Sequence, residues 1–345
     1  MEKKGYVGII VLLAAVFAVI FFSVNDSYYR RVLQLQGLEE EAGEACDYHF
    51  TMIVDNAESS FWRAAYESGS QAAQENKVLL ELKGTGPDTR YDKIDYMNIS
   101  IASQVDGIIV ENNGEEGLAE KIDEAVEAGI PVVTVMSDAS YSKRQSFVGV
   151  SDYQLGQAYA EQAALYADED VKDILIVMNR LTDEKSQSQF YSQVYNAVSG
   201  KSDGTGQQVN VSIQNLLLIG SFDAEEAIRD IFQRKAGPPD MLICMDEETT
   251  ECARQALIDY NMAGGVRIIG CYASDNTVDA ITKGLIKTTC SIDTKQLGSR
   301  SVEALLDYKK EGRVNSYYNV DIHFVDEEEA AMLQRRRHNE KISLE

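Results

Sequence analysis

Histidine is scarce in this sequence, and the cysteines come in no recognisable pattern. The three histidines, His49, His323 and His338, stand isolated. No zinc spacing includes them, so no metal site is expected. There are five cysteines, an odd number, and no two are spaced as CxxC. Cys244, Cys271 and Cys290 fall in apolar runs such as "MLICM" and "RIIGCY" and read as small buried hydrophobes. Positive charge is also short: 32 Lys and Arg face 56 Asp and Glu, a net charge of −24. That excludes nucleic acid, whose binding needs cations to replace phosphate counterions. It equally disfavours docking on anionic lipid headgroups. Self-repulsion that keeps the chain soluble accounts for most of the acidity. No Walker loop or GxGxxG follows the first strand-like run; "GTG" at Gly84–Gly86 is too short and runs into Pro87, so it reads as a turn. No Ser-His-Asp set is legible. The expectation is a protein without enzymatic activity and without a cofactor.

What the chain does have begins at its N-terminus. No charge interrupts Gly5 to Asn25. An apolar run of about 19 residues spans roughly 28 Å as a helix, close to the hydrocarbon thickness of a bilayer. Phe21, Phe22 and Ser23 offer no small-x-small cleavage site, and Cys46 is too far along for a lipoprotein anchor. An uncleaved signal-anchor over 1–24 is therefore expected. Lys3 and Lys4 place the N-terminus in the cytoplasm, although Arg30 and Arg31 on the other flank weaken that orientation. Residues 25–46 read as a polar stalk. The expected location is the cell membrane, single-pass, with the bulk of the chain outside.

From Tyr48 onward short apolar runs alternate with helical patterns. "YHFTMIV", "VLLELK", "GIIVEN", "IPVVTVM", "DILIVM", "VNVSIQNLLLIG", "DMLICM", "VRIIGCY" and "IKTTCSI" read as strands, with helices between them. Such alternation implies parallel sheets covered on both faces. The units are too many for one comfortable sheet, so two Rossmann-like α/β lobes are expected. In "SSFWRAAYESGSQAAQEN" a serine serves as N-cap. Phe61, Ala65, Gly69, Ala72 and Ala73 then make a small-residue face suited to close approach to a sheet.

Ligands of open parallel sheets bind beyond the carboxyl ends of the strands. Here those ends carry short polar groups and scattered aromatics: Phe61, Trp62 (the sole tryptophan), Phe190, Phe222 and Tyr272. Two lobes facing each other at these ends would form a cleft. Its polar groups suit hydroxyls, and its aromatic faces suit the C–H face of a sugar ring.

Several segments carry a resemblance in their order and spacing: "FTMIVDNAESSFWRAAYESGSQAAQEN", "DGIIVENN", "AGIPVVTVMSDAS", "FVGVSDYQLGQAYA" and "IIGCYASDNTVDAITKGLIKTTCSID…LG". Over about 47–320 the chain resembles the periplasmic sugar-binding proteins of the ribose- and galactose-binding type, a fold shared with the ligand-binding core of lactose-repressor regulators. The resemblance implies a type I periplasmic binding protein fold with a three-crossover hinge. Its lobes would comprise 47–150 plus 293–318, and 151–292 plus 319–345. The crossovers would fall near Gly149–Asp152, Ile292–Asp293 and Tyr318–Val320. It also implies a ligand set. Phe61 and Trp62 match the family's aromatic pair, with Ser59 before them. Phe222 matches a second-lobe aromatic. Met136, Ser137 and Asp138 stand where the family has an acid followed by Arg or Ser. Gln189 or Phe190 falls near the position of an arginine. Met245 precedes Asp246 in place of Asn, Tyr272 replaces an Asp, and Asp293 lies near the last hinge.

Structural readings stand beside these. Trp62 can pack against a neighbouring loop, Phe222, Met136 and Met245 can be core, Asp138 can close a turn, and Asp246 can head a helix. "RRRH" at Arg335–His338, after "DEEE", reads as a solvated tail. The aromatic wall is retained while many polar partners differ, which points to a sugar derivative or another small molecule. The expected partners are that ligand, the membrane, and either an ABC permease or a membrane histidine kinase that reads lobe closure. A repressor is excluded by the missing helix-turn-helix and the acidic charge.

Overall fold

The computed structural model describes residues 46–85, 90–179, 184–200, 209–216 and 221–344. The apolar run at 5–25 and all of the stalk but Cys46 lie outside the described residues. Among the described residues, no helix is long and apolar enough to cross a membrane.

Two six-stranded sheets organise the chain. The first holds β1 (Tyr48–Asn56), β2 (Val78–Thr85), β3 (Gly107–Asn112), β4 (Val132–Met136), β5 (Ser146–Gly149) and β11 (Tyr317–Asn319). The second holds β6 (Asp173–Asn179), β7 (Asn210–Leu216), β8 (Met241–Cys244), β9 (Arg267–Cys271), β10 (Thr288–Ile292) and β12 (Ile322–Val325). Their orders, β11-β5-β4-β3-β1-β2 and β12-β10-β9-β8-β6-β7, are the same permutation, so each lobe repeats the other. The pairings are parallel except for the antiparallel pair β10–β12. The strands are apolar runs rather than alternating ones because helices cover both faces; β3, β5 and β8 are buried from end to end.

The helices are α1 (Ser60–Glu75), α2 (Lys93–Ala102), α3 (Leu118–Glu127), α4 (Asp152–Tyr166) and α5 (Glu184–Ser199), then α6 (Ser221–Phe232), α7 (Glu247–Asp259), α8 (Asp275–Thr282), α9 (Thr294–Glu311) and α10 (Glu327–Leu344). Among the described residues, seven of them start on a side chain that accepts from the backbone N–H three residues on: Ser59, Asp92, Ser151, Asp246, Ser274, Asp293 and Asp326. Each such cap contributes about 1 kcal/mol. The chain passes between the sheets from Gly149 to Asp152, at Asp293, and from Asn319 to Ile322. Val150, Ile292 and Val320, at these passages, are buried in one apolar cluster with residues of both lobes.

The small-residue face of α1 approaches β2 as expected, and helix α9 as well: a Cβ built on Gly69 lies 3.2 Å from both the Gly298 carbonyl and Leu80 Cδ2. One expectation needs correction. The basic stretch near the C-terminus is part of α10, docked on α8 rather than free in solvent. Ala330 is fully buried and Leu333 packs beside it. Arg337 pairs with Asp275 at 2.5 Å, and Gln334 donates to Asp279 at 2.6 Å. Arg335 and Arg336 remain exposed. The side chain of His338 lies outside the described residues.

Candidate functional site

Strand β1 ends at the first turn of α1, where Phe61 and Trp62 sit because Ser59 caps the helix; its hydroxyl accepts from Trp62 N–H at 3.2 Å. Both aromatics are buried, 7% and 5% exposed, although Asn56, Glu58 and Ser60 of the same turn face water. Their rings meet edge to face with centroids 5.0 Å apart. Tyr272, just beyond β9 in the other lobe, closes on Phe61 with centroids 5.3 Å apart and planes at 89°. Its hydroxyl donates to the Ser60 carbonyl at 3.3 Å. Burial, then the charges of Glu247, Asp275 and Glu67, push the Tyr272 phenol up to about 12, so it stays a donor.

Glu247 completes this junction. It opens α7, and its carboxylate reaches across to the first turn of α1. There it accepts from the Ser60 hydroxyl, and from Phe61 N–H at 3.2 Å. Burial raises this carboxyl above the ordinary carboxylate range; Glu251 and Asp246 push it further, while the bonds from Ser60 and Phe61 work against the rise. The junction thus joins an aromatic wall to hydrogen-bonding groups drawn from both lobes. Met136 and Tyr272 mark the equivalent place in each lobe, at the end of the fourth strand. Both take left-handed backbone, φ 68° and 65°. Side-chain-bearing residues pay strain for that conformation, a cost that tends to collect at ligand-contacting turns.

Not every expected site residue joins the junction. Met245 packs in the same apolar cluster as Phe61 and Trp62. Asp246 and Asp293 are committed as helix caps, accepting from Thr249 at 2.7 Å and Gln296 at 2.9 Å. Asp138 is held by the Arg144 guanidinium through bonds of 2.5 and 2.7 Å, which fastens the loop after β4. Ser137, beside it, donates its N–H to the Val135 carbonyl at 2.9 Å. Phe190 packs between α5 and α4, 4% exposed, with its ring centroid 5.6 Å from that of Tyr159. Gln189 is half-buried on α5. Phe222 falls in the first turn of α6, and its side chain lies outside the described residues.

A polar cluster that the residue patterns did not bring forward lies at the carboxyl ends of β1 and β3, where the strand order reverses. Lys93 is 3% exposed and pairs with Asp55 at 2.6 Å and Glu115 at 2.8 Å. Glu111 accepts from Asp55 N–H at 2.7 Å, and Asn113 donates to Asp55 and Glu111. Burial works against the Lys93 ammonium, but Glu111, Asp55 and Glu115 outweigh it and raise its pKa. Burial, then the Asp55 charge, pushes Glu111 up to about 8 despite Lys93. Such strand-order reversals are where doubly wound sheets bind ligands. The available signal was the acid-and-amide ending of two adjacent strands, "VDN" and "VENN"; Lys93, far from both in sequence, gave none. Among the described residues no cluster of histidine, cysteine or carboxylate side chains is arranged to hold a metal ion.

Comparison with known proteins follows the same outline. A family model described as a periplasmic binding protein domain matches residues 50–313. A search of curated proteins finds no match. Among solved structures, the chain is similar to GanP, a glucose-galactose binding protein from Geobacillus stearothermophilus, at 21% identity and TM-score 0.70, over 81% of this chain and 98% of that one. It is similar to the XylFII–LytSN complex at 22% identity and TM-score 0.67, over 82% and 98%. An ABC transporter periplasmic solute binding protein from Actinobacillus succinogenes with bound D-allose shares 17% identity and TM-score 0.67, over 83% and 99%. These likenesses establish a shared two-lobed fold. With the family model matched over most of its length, the chain belongs to the periplasmic binding protein domain family.

Proposed function

We propose that the protein is an extracytoplasmic solute-binding protein, anchored through the apolar run at 5–25, that closes on a small sugar-like ligand and presents it to an ABC transporter. It acts by binding rather than by catalysis. The observation that carries this reading is the convergence of Phe61 and Trp62 from one lobe with Tyr272 from the other, beside hydrogen-bonding groups of both. Aromatic faces cover the apolar face of a sugar, and the polar rim takes its hydroxyls. Ser59, Met136, Ser137 and Met245 border that wall in this reading. Asp138, Asp246 and Asp293 shape its loops, and the approach of Gln189, Phe190 and Phe222 is assigned to the second lobe. The lobes are taken as 47–150 plus 293–318 and 151–292 plus 319–345. Several solved relatives are named for sugars, among them the glucose-galactose binding protein and the D-allose complex.

A second reading makes the protein the sensing subunit of a membrane histidine kinase. The similarity to XylFII in its complex with LytSN favours it, because there the same fold is bound to a second protein.

The test is calorimetry with D-glucose, D-galactose, D-allose, D-ribose and L-arabinose, followed by emission of Trp62, the chain's single tryptophan. A binder that shifts Trp62 emission supports the assignment. Binding with unchanged emission removes Trp62 from the site. No binding across the panel removes the sugar reading.

A further inference from the structure

The bonds that join the two lobes at the aromatic junction come from the protein itself, and one residue makes most of them. Glu247 belongs to the second lobe. Its two carboxylate oxygens are held by Ser60 and by the Phe61 amide, 186 residues away in sequence, at the open end of a helix of the first lobe. It sits at the same time in the first turn of its own helix, α7. The N-terminus of α1 therefore directs a free N–H group and its positive dipole end at a carboxyl group of the other lobe. The side chains on either side are committed elsewhere: Asp246 caps α7, and Glu251 accepts from Ser274 at 2.9 Å and pairs with Arg254 at 2.9 Å.

We propose that Glu247 is a positioning residue that latches the lobes. By capping α1 from the opposite lobe it sets the balance between open and closed forms, and through that balance the affinity for whatever ligand the junction takes. This rests on the reading that the two lobes move as a closing pair, but it requires no ligand for closure. A protein closed by its own contacts binds a ligand with less conformational cost. The described groups that act most strongly on the latch carry no positive charge to compensate a buried carboxylate. From its own helix Asp246 and Glu251 face it, both acidic; from α1 come Ser60 and Phe61, both neutral; from the loop after β9 comes the Tyr272 phenol. Burial raises the Glu247 carboxyl, while the bonds from Ser60 and Phe61 work against the rise. The latch therefore works by its hydrogen bonds more than by its charge, and glutamine retains it.

The experiment measures the distance between the lobes in the full chain without sugar. Spin labels on cysteines introduced at Glu116 and Asn276, both exposed and in opposite lobes, report it by pulsed electron resonance. Cys46→Ser and Cys252→Ser remove the two accessible thiols, and the three buried cysteines stay. Circular dichroism melting confirms folding of each variant. The wild-type chain shows one short distance. Glu247→Ala shifts the open-to-closed ratio about tenfold, the scale of one lost hydrogen bond. Ser60→Ala shifts it in the same direction, and Glu247→Gln keeps the short distance. A wild-type chain that sits open, an alanine variant that stays closed, or a glutamine variant that opens as far as alanine each overturns the proposal. Calorimetry with the sugar panel is a separate readout: absence of binding there with the latch intact fails the sugar reading alone.

Discussion

Gly69 of α1 and Gly298 of α9 lie against each other with no room for a side chain between them. A Cβ on Gly298 would stand 2.7 Å from the Gly69 nitrogen and 1.9 Å from the carbonyl oxygen of Ala65. The two helices cross at backbone contact, and that crossing fixes where α1 presents Phe61 and Trp62.

Gly298→Ala is expected to destabilise the protein by about 2–3 kcal/mol, because backbone must move to admit the methyl group. Gly69→Ala meets atoms no closer than 3.2 Å. There the gain of about 1 kcal/mol in helix propensity offsets the crowding, and the change is near neutral. Denaturant midpoints at constant slope measure both. Equal midpoints for the two variants would contradict the close-contact account.

The Glu111 carboxyl makes stability depend on pH with a defined sign. Its folded pKa, about 8, lies above the ordinary 4.5, so the folded state holds a proton that the unfolded state has released. Stability from this group is greatest below about 4.5, declines as pH rises, and levels off above about 8. Glu111→Gln cannot ionise. The stability difference between the glutamine variant and wild type should therefore move in favour of glutamine across that window. Urea unfolding at a series of pH values measures it, and parallel curves for the two proteins would refute it.

Phe190, inside α5, and Tyr272, just beyond β9, are both aromatics expected at the site, but they should respond differently to truncation. Phe190→Ala removes a ring wedged between α5 and α4 and should cost about 3–5 kcal/mol of stability. Tyr272→Ala removes a ring at the lobe junction and should cost far less stability. It should weaken binding of whichever sugar calorimetry identifies by about tenfold or more, the scale of a well-packed aromatic contact. Thermal melts and calorimetry on the same preparations separate the two effects.

How far the residues alone led differs from element to element. The sequence reading found β1, β3, β4, β8 and β9 because each is an apolar run between turn residues, and α1 because a serine precedes a periodic apolar face. It passed over β5, whose run "SFVG" is as short as β8 but less apolar than "MLIC". It also missed α10 as a helix: charge dominates that stretch, and only Ala330 and Leu333 reveal the buried side. Phe61 and Trp62 were legible as a special pair because large aromatics at a strand-to-helix turn require a cover. Glu247 was legible only as an acid at a helix start, since nothing in "MDEE" says that its carboxylate caps another helix.

The sequence by itself determined the repeating strand–helix units, the helix caps and the acidic character of the chain. Those properties depend on residues within a turn or two of one another, so their periodicity and chemistry can be read locally. Only the tertiary structure decided which polar groups meet. Phe61 finds Glu247, Lys93 finds Asp55 and Glu115, and Asp138 is consumed by Arg144. Each of these follows from where the folded backbone brings charge and donor together and removes water from between them. Side-chain type alone carries none of that information.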